Sequence, residues 1–222
     1  MRIADVVRQV SDYPIAAGLA VAARLARVGC VISGIEQASN DLAEIRRRWP
    51  GRRPLVYFWV SDVPLLLLMV QASQGGLAPE FASVCADSKI GRGISRFLRM
   101  YGRRSLPLRG AGAGAGLADV KTIVRESAPL FISADGSGPL GRVHSGLGRL
   151  VRARGDLATP LTLRVFWGRG DHRPSALVRV AVAIGPPVEL TGLDDSGALM
   201  SGLVACRVAC GARFAGDELP TP

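Results

Sequence analysis

The chain has 222 residues, a formal net charge of +10 and 48% hydrophobic residues. This length suffices for one α/β domain with a sizeable core, and the hydrophobic content disfavours a disordered chain. The basic charge favours anionic partners, such as phospholipid headgroups, nucleic acid or acidic carrier proteins. Only 5% of the residues are aromatic, and they do not interleave with the arginines, which disfavours binding to single-stranded nucleic acid.

The cysteines and histidines lack the spacing of a metal site. The cysteines are Cys30, Cys85, Cys206 and Cys210. His144 and His172 are far from them in sequence, so we predict buried core thiols in a reducing cytoplasm and no bound metal.

The N-terminal stretch is predicted to form a helix from Val6 to Val28. Its apolar residues recur at helical spacing with arginines beside them, which is typical of an amphipathic helix lying on a membrane. Packing of the same helix on its own domain is an equally weighted alternative. A full membrane span is disfavoured, because Arg24 and Arg27 closely follow the uncharged stretch. We therefore divide the chain into residues 1–34, the N-terminal helix, and residues 35–222, an α/β domain.

The remaining chain alternates between predicted strands and helices. A short helix capped by Asn40 or Asp41 ends at Pro50. The predicted strands are Leu55–Trp59, Phe81–Ala86, Ser105–Leu108, Leu130–Ser133, Leu157–Val165 and Ser175–Ile184. The other predicted helices are Pro64–Gln74, Lys89–Tyr101 (capped by Asp87 or Ser88), Asp119–Ser127, Gly146–Arg154 and Gly197–Cys210. This order predicts an α/β fold with a mostly parallel central sheet flanked by helices.

Three short segments follow predicted strands, at the points where apolar sequence turns polar or glycine-rich. They read Tyr-Phe-Trp-Val-Ser-Asp at 57–62, Leu-Pro-Leu-Arg-Gly at 106–110 and Ile-Ser-Ala-Asp-Gly-Ser-Gly-Pro at 132–139. In an open α/β sheet, ligands bind outside the carboxyl ends of the strands. The three segments are therefore expected to meet at one ligand-binding edge.

Together these segments resemble the bacterial lysophospholipid-acyltransferase-like family, within the glycerolipid acyltransferase superfamily. Members typically carry Phe-Trp-His-Gly, a strand-end Arg-Gly and a Thr-Pro-Asp-Gly-Pro turn, in that order. The resemblance spans about residues 35–187 and implies a glycerol-3-phosphate-acyltransferase-like fold. It also implies transfer of a fatty acyl group to a lysolipid hydroxyl in phospholipid or lipid A metabolism. The donor would be acyl-CoA or acyl carrier protein, with no bound cofactor.

The main departure from the family is Val60, which occupies the position of the family's histidine. That histidine acts as a general base, because its pKa lies near neutral pH, and valine cannot accept a proton. Asp62 is the candidate catalytic substitute, and burial would have to raise its pKa for that task. The alternative is that Asp62 caps the following helix, with Ser61 as the competing cap. His144 and His172 match neither position, so the resemblance assigns them no role.

Other positions of the three segments carry over from the family. The candidate substrate-binding residues are Ser61, Arg109, Gly110, Gly136, Ser137 and Arg142. Arg109 is expected to hold an anionic headgroup, with an exposed loop arginine as the alternative. Asp135, the second candidate catalytic residue, is expected to shape the acceptor site. Its alternative is a turn residue that bonds to its own backbone.

The replacement of the family's histidine by Val60 leaves two functions open. One is an acyltransferase with a relocated base. The other is a catalytically degenerate paralogue that binds lipid or a partner on the inner membrane. In both, the expected partners are anionic membrane lipids and acyl carrier protein, at the cytoplasmic face of the inner membrane as a peripheral protein. Nucleic acid binding is suggested by charge alone and lacks a recognition motif.

Overall fold

The computed structural model describes residues 14–22, 30–72, 80–109, 115–135, 141–167, 178–192 and 195–215. Its strands are β1 (Cys30–Ser33), β2 (Pro54–Phe58), β3 (Ala82–Ala86), β4 (Arg104–Leu108), β5 (Leu130–Ser133), β6 (Leu157–Trp167) and β7 (Val178–Ile184). Its helices are α1 (residues 14–22), α2 (Ile35–Arg48), α3 (Val63–Ala72), α4 (Lys89–Met100), α5 (Ala115–Arg125), α6 (Ser145–Arg154) and α7 (Asp195–Ala215). A short 3₁₀ turn, Val60–Asp62, joins β2 to α3.

The strands form one seven-stranded sheet in the order β1-β7-β6-β2-β5-β3-β4. Neighbouring strands are parallel throughout, except that β6 and β7 form an antiparallel pair. The predicted α/β fold with a mostly parallel sheet and flanking helices is therefore confirmed. Because β2, β5, β3 and β4 all run in the same direction, their carboxyl ends share one edge of the sheet, which is called the carboxyl edge below.

The sheet is covered on both faces, as its apolar strands require. Side chains alternate along β2, so that Val56 and Phe58 pack into one hydrophobic cluster while Leu55 and Tyr57 pack into another. The first cluster takes in residues of α1, α2, α3 and α4, and the second takes in residues of α5, α6 and α7. All five residues of β2 are buried. The core thus fixes β2 firmly and presents the turn after it at the carboxyl edge.

Two local predictions on the amino-terminal side are wrong. Strand β1 was not predicted, because its four residues are too few to show a pattern beside a long predicted helix. Helix α2 begins at Ile35, not near Asn40, and its N-terminal neighbour Gly34 has a φ of +83° without a side-chain cap. A side chain at Gly34 would collide with the Val182 carbonyl, so close packing against β7 sets this start.

The cap predicted for α4 is confirmed. The Ser88 side chain accepts a hydrogen bond from the Gly91 N–H at 3.0 Å. Helix α1 packs on α4 at Gly93, where a Cβ would collide with Ile15. The described part of the predicted N-terminal helix therefore packs on the domain, while the rest of Val6–Val28 lies outside the described residues.

Helix α7 crosses the face of the sheet formed by β6 and β7. Cys206 and Cys210 are buried against these strands, as is Cys85 elsewhere in the core, so the predicted buried thiols are confirmed for these three. Among the described helices, Asp195–Phe214 alone is long and apolar enough to cross a membrane, judged by length and composition. One third of it is buried on the domain, with Leu199 and Leu203 fully inside.

Candidate active site at the carboxyl edge

Two of the three sequence segments meet at the carboxyl ends of β2 and β5. The strands pair in parallel as far as Phe58 and Ser133. Just beyond, the Ala134 N–H donates to the Phe58 carbonyl at 2.7 Å. The Val60 N–H donates to Asp135 Oδ1 at 2.9 Å. The backbone of Val60 is therefore held directly by the carboxylate of the Asp-Gly segment.

The three side chains of the Val60–Asp62 turn differ in their exposure to solvent. Trp59 is still extended, and the turn closes with the Asp62 N–H bonding to the Trp59 carbonyl at 2.9 Å. Ser61 is exposed and Val60 is half-buried, whereas Asp62 is only 5% exposed. The turn therefore offers a hydroxyl to solvent and encloses a carboxylate.

Asp62 lies against β6 beyond the point where β2 stops pairing with it. The last register pair of β2 and β6 is Tyr57 with Pro160, and Asp62 accepts a backbone hydrogen bond from Leu163 further along β6. Its Oδ2 atom is buried and has no hydrogen-bond partner. The Asp62 side chain thus bonds to β6 beyond the last β2–β6 pair. The alternative interpretation had it bonding to the first turn of the following helix.

Burial raises the pKa of Asp62 to about 6. The nearby Arg207 and the Leu163 N–H lower the pKa, and the negative charge of Asp135 raises it further. Burial is the largest of these effects, because removing a carboxylate from water disfavours its charged form. Asp62 thus has the raised pKa that the relocated-base hypothesis requires, although its side chain is enclosed. Its catalytic role stays a prediction.

Asp135 is 1% exposed and uses its carboxylate to fix the turn after β2. Asp135 bonds to the backbone of another segment. The alternative interpretation had it bonding only to the backbone of its own turn. The following Gly136 and Ser137 lie outside the described residues, and Arg142 beyond them is exposed. The roles of these four residues in the site remain predictions.

Arg109 stands at the same edge but at the far side of it. Strands β5 and β3 lie between β2 and β4, so about 14 Å of sheet separates the two strand ends at the usual strand spacing. The Arg109 N–H donates to Asp119 Oδ2 at 2.8 Å, and Nε lies 3.3 Å from the same oxygen. The structure therefore does not join Arg109 directly to the Val60 turn. Gly110 lies outside the described residues.

His144 lies near the carboxyl edge without the geometry of a base. Its N–H donates to the Ala134 carbonyl at 2.7 Å, and its Nδ1 accepts from the Gly146 N–H at 3.1 Å, which caps α6. With Nδ1 as acceptor, the neutral ring carries its proton on the exposed Nε2. His144 is thus an exposed helix cap at the rim of the edge. His172 lies outside the described residues, and the described part of the chain contains no cluster of side chains suited to a metal.

Two residues of the site were missed from the sequence. Asp119 was assigned only to a predicted helix, and Arg207 only to the C-terminal one. Arg207 is exposed on α7 and acts on Asp62 because α7 crosses the sheet beside β6. Neither pairing follows a spacing rule: the first depends on how α5 packs against β4, and the second on how α7, distant in sequence, packs beside Asp62.

Comparison with known proteins finds similarity among solved structures. No protein-family model matches the chain, and no curated protein matches it. Among solved structures, the chain is similar to the 1-acyl-sn-glycerophosphate (LPA) acyltransferase PlsC from Thermotoga maritima, with a TM-score of 0.45 and 14% identity. The match covers 96% of this chain and 84% of that chain. A likeness at this level does not show a function.

Proposed function

We propose that the chain is an acyltransferase-like protein of phospholipid or lipid A metabolism that binds a lysolipid at the carboxyl edge. The hydrogen bond between the Val60 N–H and Asp135 carries this proposal. It joins two segments, 75 residues apart in sequence, that resemble neighbouring parts of one family site. It also supports the alignment of Val60 with the family's histidine, because the turn and the Asp-Gly segment meet as one acceptor site would require.

If the protein is active, the reaction is acyl transfer from a thioester to a lysolipid hydroxyl. The hydroxyl oxygen attacks the acyl carbonyl carbon, an ester C–O bond forms, and the thioester C–S bond breaks. The hydroxyl loses its proton to a base, and the thiolate of the donor regains one. Asp62 is the described carboxylate best suited to the base's role, because its pKa of about 6 lies close to neutral pH.

The second candidate function is lipid binding without turnover. Val60 cannot accept a proton, and Asp62 is 5% exposed, so the enclosed carboxylate reaches a hydroxyl only if the turn opens. Losing a general base typically lowers the rate by about 10²–10⁴. The same edge would then hold a lysolipid or a partner on the inner membrane, without transferring the acyl group.

We also propose that the protein is peripheral on the cytoplasmic face of the inner membrane, with anionic lipids as partners. Helices α1 and α4 support this, since they pack together and expose Val21 (56%) and Ile90 (66%) to solvent. Lys89 is exposed next to Ile90, at the end of α4 nearest the carboxyl edge. Exposed apolar residues beside basic ones suit an anionic membrane surface. The same basic charge suits acyl carrier protein as a donor.

The testing experiment measures transfer and binding together. Labelled acyl-CoA and acyl carrier protein are offered with lysophosphatidate and a panel of other lysolipids. Wild type, Asp62→Asn and Asp135→Ala are compared with Asp87→Asn as the control. Asp87 also lies at the carboxyl edge, where it pairs with Arg92, so this control makes the same chemical change outside the Val60 turn.

The outcomes separate the two functions. Transfer by wild type and by Asp87→Asn that is lost in Asp62→Asn supports the relocated base. Saturable lysolipid binding without transfer supports the degenerate binding protein. A folded wild type that neither binds nor acylates any lysolipid of the panel contradicts both functions.

A further inference from the structure

The carboxylate of Asp119 holds Arg109 at two points. Asp119 Oδ2 accepts the Arg109 backbone N–H at 2.8 Å and lies 3.3 Å from the guanidinium Nε. The Asp119 side chain is 8% exposed and that of Arg109 is 52% exposed. A buried anchor on α5 therefore fixes both the backbone and the inner edge of an arginine whose other end faces solvent.

This arrangement leaves one side of the guanidinium available. Arginine has five N–H donors in a planar fork, and Nε takes up only one of them. The two Nη groups form the outer pair that can hold two oxygens of one phosphate group. Because Asp119 holds Nε, the direction of that outer pair is set before any ligand arrives.

We propose that Asp119 is a positioning residue that prepares Arg109 to bind the phosphate of a lipid headgroup, an inference that rests on the proposed function. A free arginine side chain loses rotamer freedom when it binds, and that loss weakens binding. The bond to Asp119 orders the side chain in the folded protein instead. Asp119 also ties the end of β4 to α5, so the phosphate site has a fixed place on the carboxyl edge.

Electrostatics alone predicts the opposite effect of Asp119. A carboxylate beside the arginine cancels part of its positive charge, and removing that carboxylate should strengthen the binding of an anion. We expect the gain in affinity from ordering the Arg109 side chain to outweigh the loss from partly cancelling its positive charge. The Asp119→Asn variant distinguishes the two effects, because it keeps an oxygen that can accept the Arg109 N–H and removes the charge opposite Nε.

The experiment measures equilibrium binding of lysophosphatidate in neutral detergent micelles to the full chain. The variants are Asp119→Asn, Arg109→Ala and the double variant, and Asp195→Asn is the matched control. Asp195 pairs with Arg152 at the start of α7, so its substitution also adds one unit of net positive charge away from Arg109. Thermal unfolding of each variant verifies that it is folded, and inorganic phosphate alone is the competing probe.

The proposal predicts that Asp119→Asn weakens lysophosphatidate binding about two- to tenfold. It predicts no such loss in Asp195→Asn, and no added loss from Asp119→Asn in the Arg109→Ala background. Equal or tighter binding by Asp119→Asn overturns the positioning role, while a loss in Arg109→Ala leaves the headgroup role of Arg109 standing. If Arg109→Ala binds as wild type does, that headgroup role fails and the inference fails with it. Inorganic phosphate binding as tightly as lysophosphatidate overturns the assignment to a lipid headgroup.

Discussion

Two buried charges at opposite edges of the sheet differ in their partners. At the edge formed by the amino ends of β2, β5 and β6, called the amino edge below, Arg154 is buried and donates to Asp156 and to the carbonyls of Ile123, Glu126 and Ala128. At the carboxyl edge, Asp62 is equally buried, yet its Oδ2 lacks a hydrogen-bond partner and its pKa is raised to about 6. Fully partnered charge is typical of a structural element. Incompletely partnered charge at a ligand-binding edge is typical of a functional one.

The amino edge gains its rigidity from shared partners. Asp156 also pairs with Arg53 at 3.1 Å, and Arg53 donates to the carbonyls of Glu126 and Arg154. The ends of α5 and α6 and the starts of β2 and β6 are therefore joined by one network. At the carboxyl edge, by contrast, the described hydrogen bonds tie the Val60 turn to the segment after β5 through the single bond from the Val60 N–H to Asp135. This difference leaves the Val60 turn freer to rearrange around a ligand.

The largest effect is expected from Arg154→Ala at the amino edge. It removes the cation and leaves Asp156 charged and buried, which should lower the free energy of unfolding by about 3–5 kcal/mol. Urea denaturation at pH 7 measures the loss. The control is Arg152→Ala, whose side chain is 42% exposed and pairs with Asp195. Its free energy of unfolding should fall by less than about 1 kcal/mol. Equal losses in the two variants would show that the buried network stabilises the amino edge no more than an exposed ion pair does.

Asp62→Asn should stabilise the protein at neutral pH and not at acidic pH. The folded pKa of about 6 exceeds the ordinary value of 3.8, so the folded state binds the proton more tightly than the unfolded state. Wild type therefore loses stability as pH rises from about 4 through 6, whereas asparagine does not ionise. The difference in unfolding free energy, variant minus wild type, should grow by about 1–3 kcal/mol between pH 4.5 and pH 8. A difference that is flat with pH would mean that Asp62 is not an unpaired buried acid.

Asp135→Ala tests the bond that joins the two motif segments. It leaves the Val60 N–H without its acceptor and should lower the free energy of unfolding by about 1–2 kcal/mol. Asp135→Asn keeps an acceptor oxygen and should lose less than half of that. Chemical denaturation of both variants provides the measurement. Equal losses would show that the charge of Asp135, and not its acceptor oxygen, holds the turn.

The smallest effect is expected from Glu126→Gln at the amino edge. The Ala128 N–H and then Arg104 lower the pKa of Glu126, so its contribution is present above its ordinary pKa and is lost as pH falls through the lowered one. The variant should therefore lose less than about 1 kcal/mol at pH 7 and still less near pH 3. This trend with pH is opposite in sign to that of Asp62. The same sign in both carboxylates would remove the contrast between the edges.

The positions of the main elements could be predicted from the sequence, because their patterns are local. The apolar run from Leu55 to Phe58 predicts a buried strand, and Ser88 predicts the start of α4. Strand β1 escaped prediction because four residues are too few to show a pattern, and the start of α2 did so because packing against β7 sets it. Within the site, the resemblance located Val60, Asp62 and Asp135 in sequence, and the position of the segments directly after predicted strands placed them at one edge.

The chemistry of the site depended on contacts that the sequence does not show. Strand β6 runs past the end of β2. The turn after β2 therefore packs against β6, where Asp62 is buried and accepts a hydrogen bond from the Leu163 N–H. Arg109 is anchored because α5 brings Asp119 beneath the end of β4. The Asp62 contact follows from the order of the strands, and the Arg109 contact follows from how α5 packs on β4; neither is encoded in local spacing.

The most direct test of the proposed function places a histidine at position 60. Val60→His and wild type are assayed for acyl transfer from acyl-CoA to lysophosphatidate, with Val63→His as the control for a new histidine three residues further on. We expect the transfer rate of Val60→His to exceed both of the others, by up to about 10²–10⁴. A Val60→His protein that folds and binds lysolipid as wild type does, but transfers no more acyl group than wild type or Val63→His, would contradict the claim that this edge is an acyltransferase site lacking its base.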